Sequence, residues 1–163
     1  MLHSVLSIPD SPESPVRLLH SSFRDYLLDP KLKNSNQFWV DKKAVHQKLA
    51  KCCLRLMSDL LHEDMCDLKV PGALRAAVDN QVISKCLTQE LQYAVKHWTH
   101  HASEYKGDRQ FLAQTLEFLK LHFLHWVESL SLLGQLPSIF EALKRSEILA
   151  NVSSEQFKIR TTR

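Results

Sequence analysis

Apolar side chains recur every three or four residues through most of this chain, which is the spacing of helices that bury one face. Residues 41–60 predict a helix that begins behind an Asp41 N-cap. Its predicted buried stripe consists of Val45, Leu49, Cys52 or Cys53, Leu56, Met57 and Leu60. A second helix begins behind Thr88 and ends near Gly107. Its predicted buried stripe consists of Leu91, Ala94, Val95, Trp98 and Ala102.

Three further helical patterns follow. The first covers residues 111–122 and the second covers residues 123–133. The predicted inward side of the first is formed by Leu112, Leu116 and Leu119. The third covers residues 136–150, and its predicted inward residues are Ile139, Phe140 and Leu143. Between the two capped helices, residues 66–86 contain a Pro-Gly pair and predict a broken connection with one short helical turn.

The pattern of the first thirty residues is different. Residues 2–8 and 16–19 predict short strands, joined by the proline-rich loop 9–15. Residues 22–28 predict a short helix with a serine cap and with Phe23, Leu27 and Tyr26 on one face. His20 lies where strand gives way to helix. Two strands and one short helix cannot bury a core, so we expect a partial unit of a larger domain.

These patterns predict a mainly α protein, in which a β-hairpin and a helix precede an antiparallel array of about five helices. The expected divisions are residues 1–30, a linker at 31–40, a helical domain at 41–152 and a frayed tail at 153–163. Phe38 and Trp39 are expected to anchor the end of the linker.

Composition narrows the possible functions. Three glycines in 163 residues, and no G-x-x-x-x-G-K-[ST], G-x-S-x-G or H-E-x-x-H motif, predict a non-catalytic chain. A net charge of +3, with dispersed basic residues, gives little reason to expect a nucleic-acid or membrane surface. Four cysteines without a C-x-x-C spacing are typical of reduced thiols, and we expect a cytoplasmic protein.

Two groups of histidines have the helical spacing that zinc ligands use. His97, His100 and His101 lie at i, i+3 and i+4, and His122 and His125 at i, i+3. No cysteine or carboxylate lies at a partner spacing nearby, so we interpret these histidines as surface or half-buried residues and predict no metal. A zinc hydrolase would require the histidines to converge.

Four blocks carry a resemblance to a known family: SPVRLLHSSFRDYLLDP, NQFWVDKKAVHQKLAKCCLRLMS, LQYAVKHWTHH and FLKLHFLHWVESLSLLG. In this order they resemble the region that follows the NACHT domain in fungal NOD-like receptors, the HET-E-type vegetative incompatibility proteins among the STAND NTPases. The resemblance implies the end of a winged-helix subdomain and the helical domain after it. It covers the chain from about residue 4 to residue 150.

The resemblance also implies roles for individual residues. His20 matches a histidine that approaches the β-phosphate of bound ADP and holds the closed state, and Phe23, Asp25 and Leu27 match packing positions of the helix that follows. Implied with these are ADP or ATP in a full-length relative, a NACHT domain as partner in cis or in trans, and a homo-oligomer formed through the parent protein. The implied function is regulatory, coupling nucleotide state to oligomerisation.

Two alternatives come from other classes of protein. A helical-repeat adaptor would bind a peptide in a concave groove. A winged-helix DNA binder would need a basic wing, whereas the loop here carries Asp10 and Glu13 and neither Lys nor Arg.

Overall fold

The computed structural model describes residues 5–11, 14, 16–69, 74–141 and 144. The predicted mainly α fold is confirmed. The chain forms two compact units, Met1–Val45 and His46–Arg163. The predicted tail at 153–163 and the predicted inward residue Leu143 lie outside the described residues.

The first unit contains the predicted hairpin, with shorter strands than expected. Strands β1 (Leu6–Ser7) and β2 (Arg17–Leu18) pair antiparallel, with Leu6 opposite Leu18. Helix α1 (Ser21–Leu28) follows, and a 3-10 turn covers Pro30–Leu32. The predicted serine cap of α1 is wrong, because His20 occupies the N-cap position.

Residues 31–40 are not a featureless linker. The backbone N–H of Val40 donates to the carbonyl of Leu27 at 2.9 Å, and Asn36 is buried with its Nδ2 directed at the carbonyl of Tyr26. The predicted role of Phe38 as an anchor is wrong, because its side chain is 56% exposed. A buried amide that satisfies backbone groups therefore helps to order this segment, and Trp39, the other predicted anchor, is half-buried.

Four helices cover most of the remaining described residues: α2 (Lys42–Leu60), α3 (Asn80–Cys86), α4 (Gln89–Tyr105) and α5 (Arg109–Leu132). The two helices predicted across residues 111–133 are one helix, because neither glycine nor proline interrupts the pattern there. Residues 66–86 are more helical than expected, since α3 follows a 3-10 turn at Arg75–Ala77. Within the described residues, no helix has the length and hydropathy to cross a membrane.

Helix α2 buries only part of the predicted stripe, namely Cys53 and Met57. Its buried residues are Ala50, Cys53, Leu54 and Met57. Val45 and Leu60, which were predicted to be inward, are each 42% exposed. The neighbouring face of the helix, which contains Ala50, is nearly as apolar as the predicted one. Tertiary packing therefore decides which face is buried, and it selects the side of the smaller Ala50.

Helix α4 buries the predicted stripe, all five residues of which are at most 1% exposed. It packs antiparallel against α5: Trp98 meets Phe118 and Trp126 edge to face, with centroids 5.7 and 5.5 Å apart. Nε1 of Trp126 donates to the carbonyl of Val95 at 2.9 Å. The predicted inward residue Leu116 is instead 57% exposed, because α5 turns Thr115 and Phe118 into the core.

A tight corner joins α4 to α5. Lys106 and Gly107 both have positive φ, +62° and +51°, and a Cβ on Gly107 would lie 3.2 Å from the ring of Phe111. Asp108 then caps α5, with Oδ1 accepting from the backbone N–H of Phe111 at 2.7 Å and Oδ2 accepting from the hydroxyl of Tyr105 at 2.8 Å. One carboxylate thus fixes both sides of the corner.

Replacing Asp108 tests this corner. We expect Asp108→Ala to lower the free energy of unfolding by about 1–2 kcal/mol, because the cap of α5 is lost. Asp108→Asn keeps a side-chain oxygen for the Phe111 N–H and is expected to cost less. Urea denaturation followed by circular dichroism measures both changes, and an equal loss in the two variants would contradict the capping role.

The same residue predicts an acid dependence of stability. The Phe111 N–H, followed by the Tyr105 hydroxyl, lowers the pKa of Asp108 below its usual 3.8. Its contribution to stability is therefore fully present above the unfolded-state pKa and is lost as the pH falls through the lower folded-state pKa. Asp108→Asn should remove this part of the pH dependence.

Candidate functional site

His20 caps helix α1 through its ring. Nδ1 accepts from the backbone N–H of Ser22 at 3.1 Å and lies 2.7 Å from the Ser22 Oγ. The backbone of His20 is extended, with φ −142° and ψ 140°, which is the geometry of an N-cap. Histidine here performs a task that Ser, Asp or Asn usually performs.

This cap determines which ring nitrogen of His20 carries hydrogen. Because Nδ1 accepts from the backbone, the neutral ring holds its proton on Nε2, an assignment that follows from the hydrogen-bond network. The side chain is exposed. His20 thus presents an N–H donor on an anchored ring, which is the chemistry that binding a phosphate oxygen requires.

The other predicted residues of α1 lie on different sides of the helix. Phe23 and Leu27 are half-buried, whereas Asp25 is exposed. Phe23 stacks on Tyr26 with ring centroids 6.5 Å apart. No residue of α1 is fully buried.

The first unit exposes many of its large apolar side chains. Between 45% and 56% of each is exposed in Ile8, Val16, Leu18, Leu19 and Tyr26. All five belong to the hairpin and to α1 or lie directly beside them. Single exposed apolar residues are ordinary, but such a set on so small a unit forms a candidate docking surface.

Three histidines converge in the second unit, and we call them the histidine cluster: His46 of α2 and His100 and His101 of α4. One ring nitrogen of each lies within 4.8 Å of the others. The Nδ1 atoms of His46 and His101 are 2.9 Å apart, and Nε2 of His101 lies 2.7 Å from the hydroxyl of Tyr93.

The environment keeps His101 neutral. Its side chain is 6% exposed. Burial, followed by the neighbouring rings of His46, His100 and His97, lowers its pKa to about 4. Burial also lowers the pKa of His97, with help from Lys96 and His100. Neutral imidazoles offer lone pairs, which suits hydrogen bonding and metal coordination.

The structure thus joins two of the three histidines in the first group noted in the sequence, and both histidines of the second. His97 lies against the ring of Tyr93, with centroids 4.8 Å apart, and is not a member of the cluster. The Nδ1 atoms of His122 and His125 lie 3.4 Å apart on α5, and His122 stacks on Phe118. Sequence reasoning missed His46, which is separated from His101 by 55 positions and has no motif around it.

A shallow groove lies between α2 and α5. Leu54, Arg55 and Ser58 line one side of it. Phe118, Leu121 and His122 line the other, and Leu121 is 65% exposed.

Comparisons of this chain with protein-family models, with curated proteins and with solved structures gave no match.

Proposed function

We propose that this chain is a non-catalytic regulatory segment of a NACHT/STAND-type NTPase, acting in the cytoplasm in fungal heterokaryon incompatibility or a related immune-like response. In this proposal it couples the nucleotide state of a NACHT domain, in cis or in trans, to oligomerisation. The observation that carries the proposal is the geometry of His20, an exposed histidine whose Nδ1 caps a helix while Nε2–H remains as a donor.

A phosphate oxygen is a suitable acceptor for that donor. A hydrogen bond between an imidazole N–H and a charged phosphate is short and about twice as strong as a neutral one. The cap prevents the ring from rotating freely, so less rotamer entropy is lost when the phosphate binds. His20 would contact the β-phosphate of ADP held by the NACHT domain, and replacement of ADP by ATP would break the contact and favour opening.

The exposed apolar residues of the first unit support a docking role. Val16 and Leu19 are each 56% exposed and flank β2, close in sequence to His20. A partner domain that covers them would bring its nucleotide to the same end of the unit. The apolar contact would supply affinity, and His20 would supply the dependence on nucleotide.

Binding to a separately produced NACHT domain of a HET-E-type receptor tests the proposal. We expect the chain to bind the ADP-loaded domain more tightly than the domain loaded with a non-hydrolysable ATP analogue. Titration of the chain alone with ADP should give no heat. A complex of equal affinity in both nucleotide states, or no complex, would overturn the proposal.

His20→Asn is the matched variant. Asparagine is a good N-cap, so the stability of α1 is retained while the Nε2–H donor is removed. A hydrogen bond to a charged group contributes about 1.5–3 kcal/mol, so we expect His20→Asn to weaken ADP-dependent binding roughly 10- to 100-fold. Lys85→Gln, at an exposed position of α3 in the second unit, should leave that binding unchanged.

The groove between α2 and α5 favours a second candidate, a helical-repeat adaptor that binds a peptide. Leu54 and Leu121 give the groove apolar contacts, and Arg55 and Glu117 give it charges of both signs. An adaptor of this kind would bind its partner regardless of nucleotide and of His20. The NACHT experiment therefore distinguishes the two functions.

A further inference from the structure

We propose that the histidine cluster, formed by His46, His100 and His101, binds a divalent transition-metal ion of the zinc type. The proposal is independent of the NACHT function. It replaces the expectation of no metal that was drawn from the sequence. That expectation considered histidines on a single helix and therefore did not include His46.

The three side chains come from two helices that are held together by other contacts. His46 lies near the start of α2, and His100 and His101 lie near the end of α4. One turn of α4 further on, Nε2 of Gln47 donates to the hydroxyl of Tyr105 at 2.8 Å. These contacts between α2 and α4 thus hold the ligands near one another before any ion arrives.

The distances fit a tetrahedral ion. Zinc–nitrogen bonds of 2.0–2.1 Å place two imidazole nitrogens about 3.3 Å apart. The Nδ1 atoms of His46 and His101 are 2.9 Å apart, and one nitrogen of each of the three rings lies within 4.8 Å of the others. Bringing all three nitrogens to that spacing requires the side chains of His46 and His100 to rotate, and these are half-buried and exposed, whereas His101 is buried.

Tyr93 supplies the outer partner that a metal-bound histidine normally has. If Nδ1 of His101 binds the ion, its proton resides on Nε2, which lies 2.7 Å from the Tyr93 hydroxyl. Such an outer hydrogen bond fixes the tautomer and the orientation of the ring. In the metal-free protein the contact between the two Nδ1 atoms needs a hydrogen on one of them, and that ring must hold its proton on Nε2 when both Nδ1 atoms bind the ion.

The exposure of the three ligands indicates how an ion would reach the site and where its fourth coordination position would lie. His101 is buried, His46 is half-buried and His100 is exposed. The ion would enter from the His100 side. Three protein nitrogens leave one tetrahedral position facing solvent, which water can occupy, as in zinc sites with three protein ligands. An all-imidazole ligand set favours Zn²⁺, Cu²⁺ or Ni²⁺ over Mg²⁺ and Ca²⁺.

Calorimetric titration of the tag-free, EDTA-treated full chain with Zn²⁺ tests the proposal. We expect one equivalent to bind and Mg²⁺ to give no heat. Tyr93→Phe removes an outer partner and should weaken zinc binding ~10- to 100-fold. His46→Gln and His100→Gln each remove a ligand and should weaken it by at least as much.

His46 is half-buried and His100 is exposed, so the variants at these two positions should fold, which circular dichroism checks.

Two control variants separate this site from ordinary histidine binding. His97→Gln changes a histidine on the same helix that is outside the cluster, and His122→Gln breaks the spaced pair on α5. Neither should change the affinity. NMR of the imidazole nitrogens should show zinc on Nδ1 of His101. The proposal is overturned if no single equivalent binds, or if His46→Gln and His97→Gln have the same affinity.

Discussion

Replacing Trp126 by alanine is expected to lower the free energy of unfolding by about 3–5 kcal/mol, the range for a large aromatic residue removed from a core. Trp126 is 1% exposed and packs edge to face on Trp98. Its Nε1 also donates to the Val95 carbonyl at 2.9 Å. The substitution removes an aromatic contact between α4 and α5 together with the hydrogen bond between them.

A matched pair of variants separates these two contributions. Trp126→Phe and Trp98→Phe make the same chemical change at two fully buried indoles that contact each other. Among the described residues, nothing accepts a hydrogen bond from Nε1 of Trp98. Trp98→Phe therefore relieves an unpaired donor, whereas Trp126→Phe breaks a bond worth about 0.5–1.5 kcal/mol. Urea denaturation followed by circular dichroism should find Trp126→Phe the less stable; the reverse order would refute this account of the core.

The second large effect is expected in thiol chemistry. Burial, followed by a hydrogen bond to Cys86, raises the pKa of Cys66 to about 12. Burial, with the Cys52 side chain beside it, raises the pKa of Cys53 to about 11. Since the thiolate is the nucleophile, Cys66 at about pH 8 should react with iodoacetamide roughly 10³-fold more slowly than an ordinary thiol.

Mass spectrometry of alkylated peptides measures each cysteine separately. Cys52 and Cys53 are adjacent in sequence, yet Cys52 is exposed and Cys53 is buried, so they form an internal comparison. We expect Cys52 to be modified first, and all four cysteines to react at similar rates in guanidinium chloride. A Cys66 that reacts in the native protein within tenfold of its rate in denaturant would contradict the assigned environment.

The sequence predicted the helices with strong local signals better than the others. The α4 stripe was right residue by residue, because Thr88 marks the start of the helix and Trp98 marks its inward face. In α2, Val45 and Leu49 form a face nearly as apolar as the one containing Ala50, and only tertiary packing decides between them. The division of α5 at residue 122 was wrong because no residue there stops a helix.

The two candidate sites, His20 and the histidine cluster, also differ in how much of each the sequence predicts. The position of His20 at a strand-to-helix junction was predicted, but its use as the cap was not, since histidine is not a usual N-cap residue. The histidine cluster depends on a contact across 55 positions, and one sequence contains no record of such distant contacts. Local periodicity could place His100 and His101, whereas only the docking of α2 on α4 could add His46.

The cap of α1 has an evolutionary consequence. Serine, aspartate or asparagine would hold the first turn of this helix at least as well as the ring of His20, so folding alone gives natural selection no reason to keep an imidazole there. Under folding pressure only, the position should drift among those small polar residues. Related sequences that retain histidine while the hairpin around it diverges would show that selection acts on the outward-facing nitrogen.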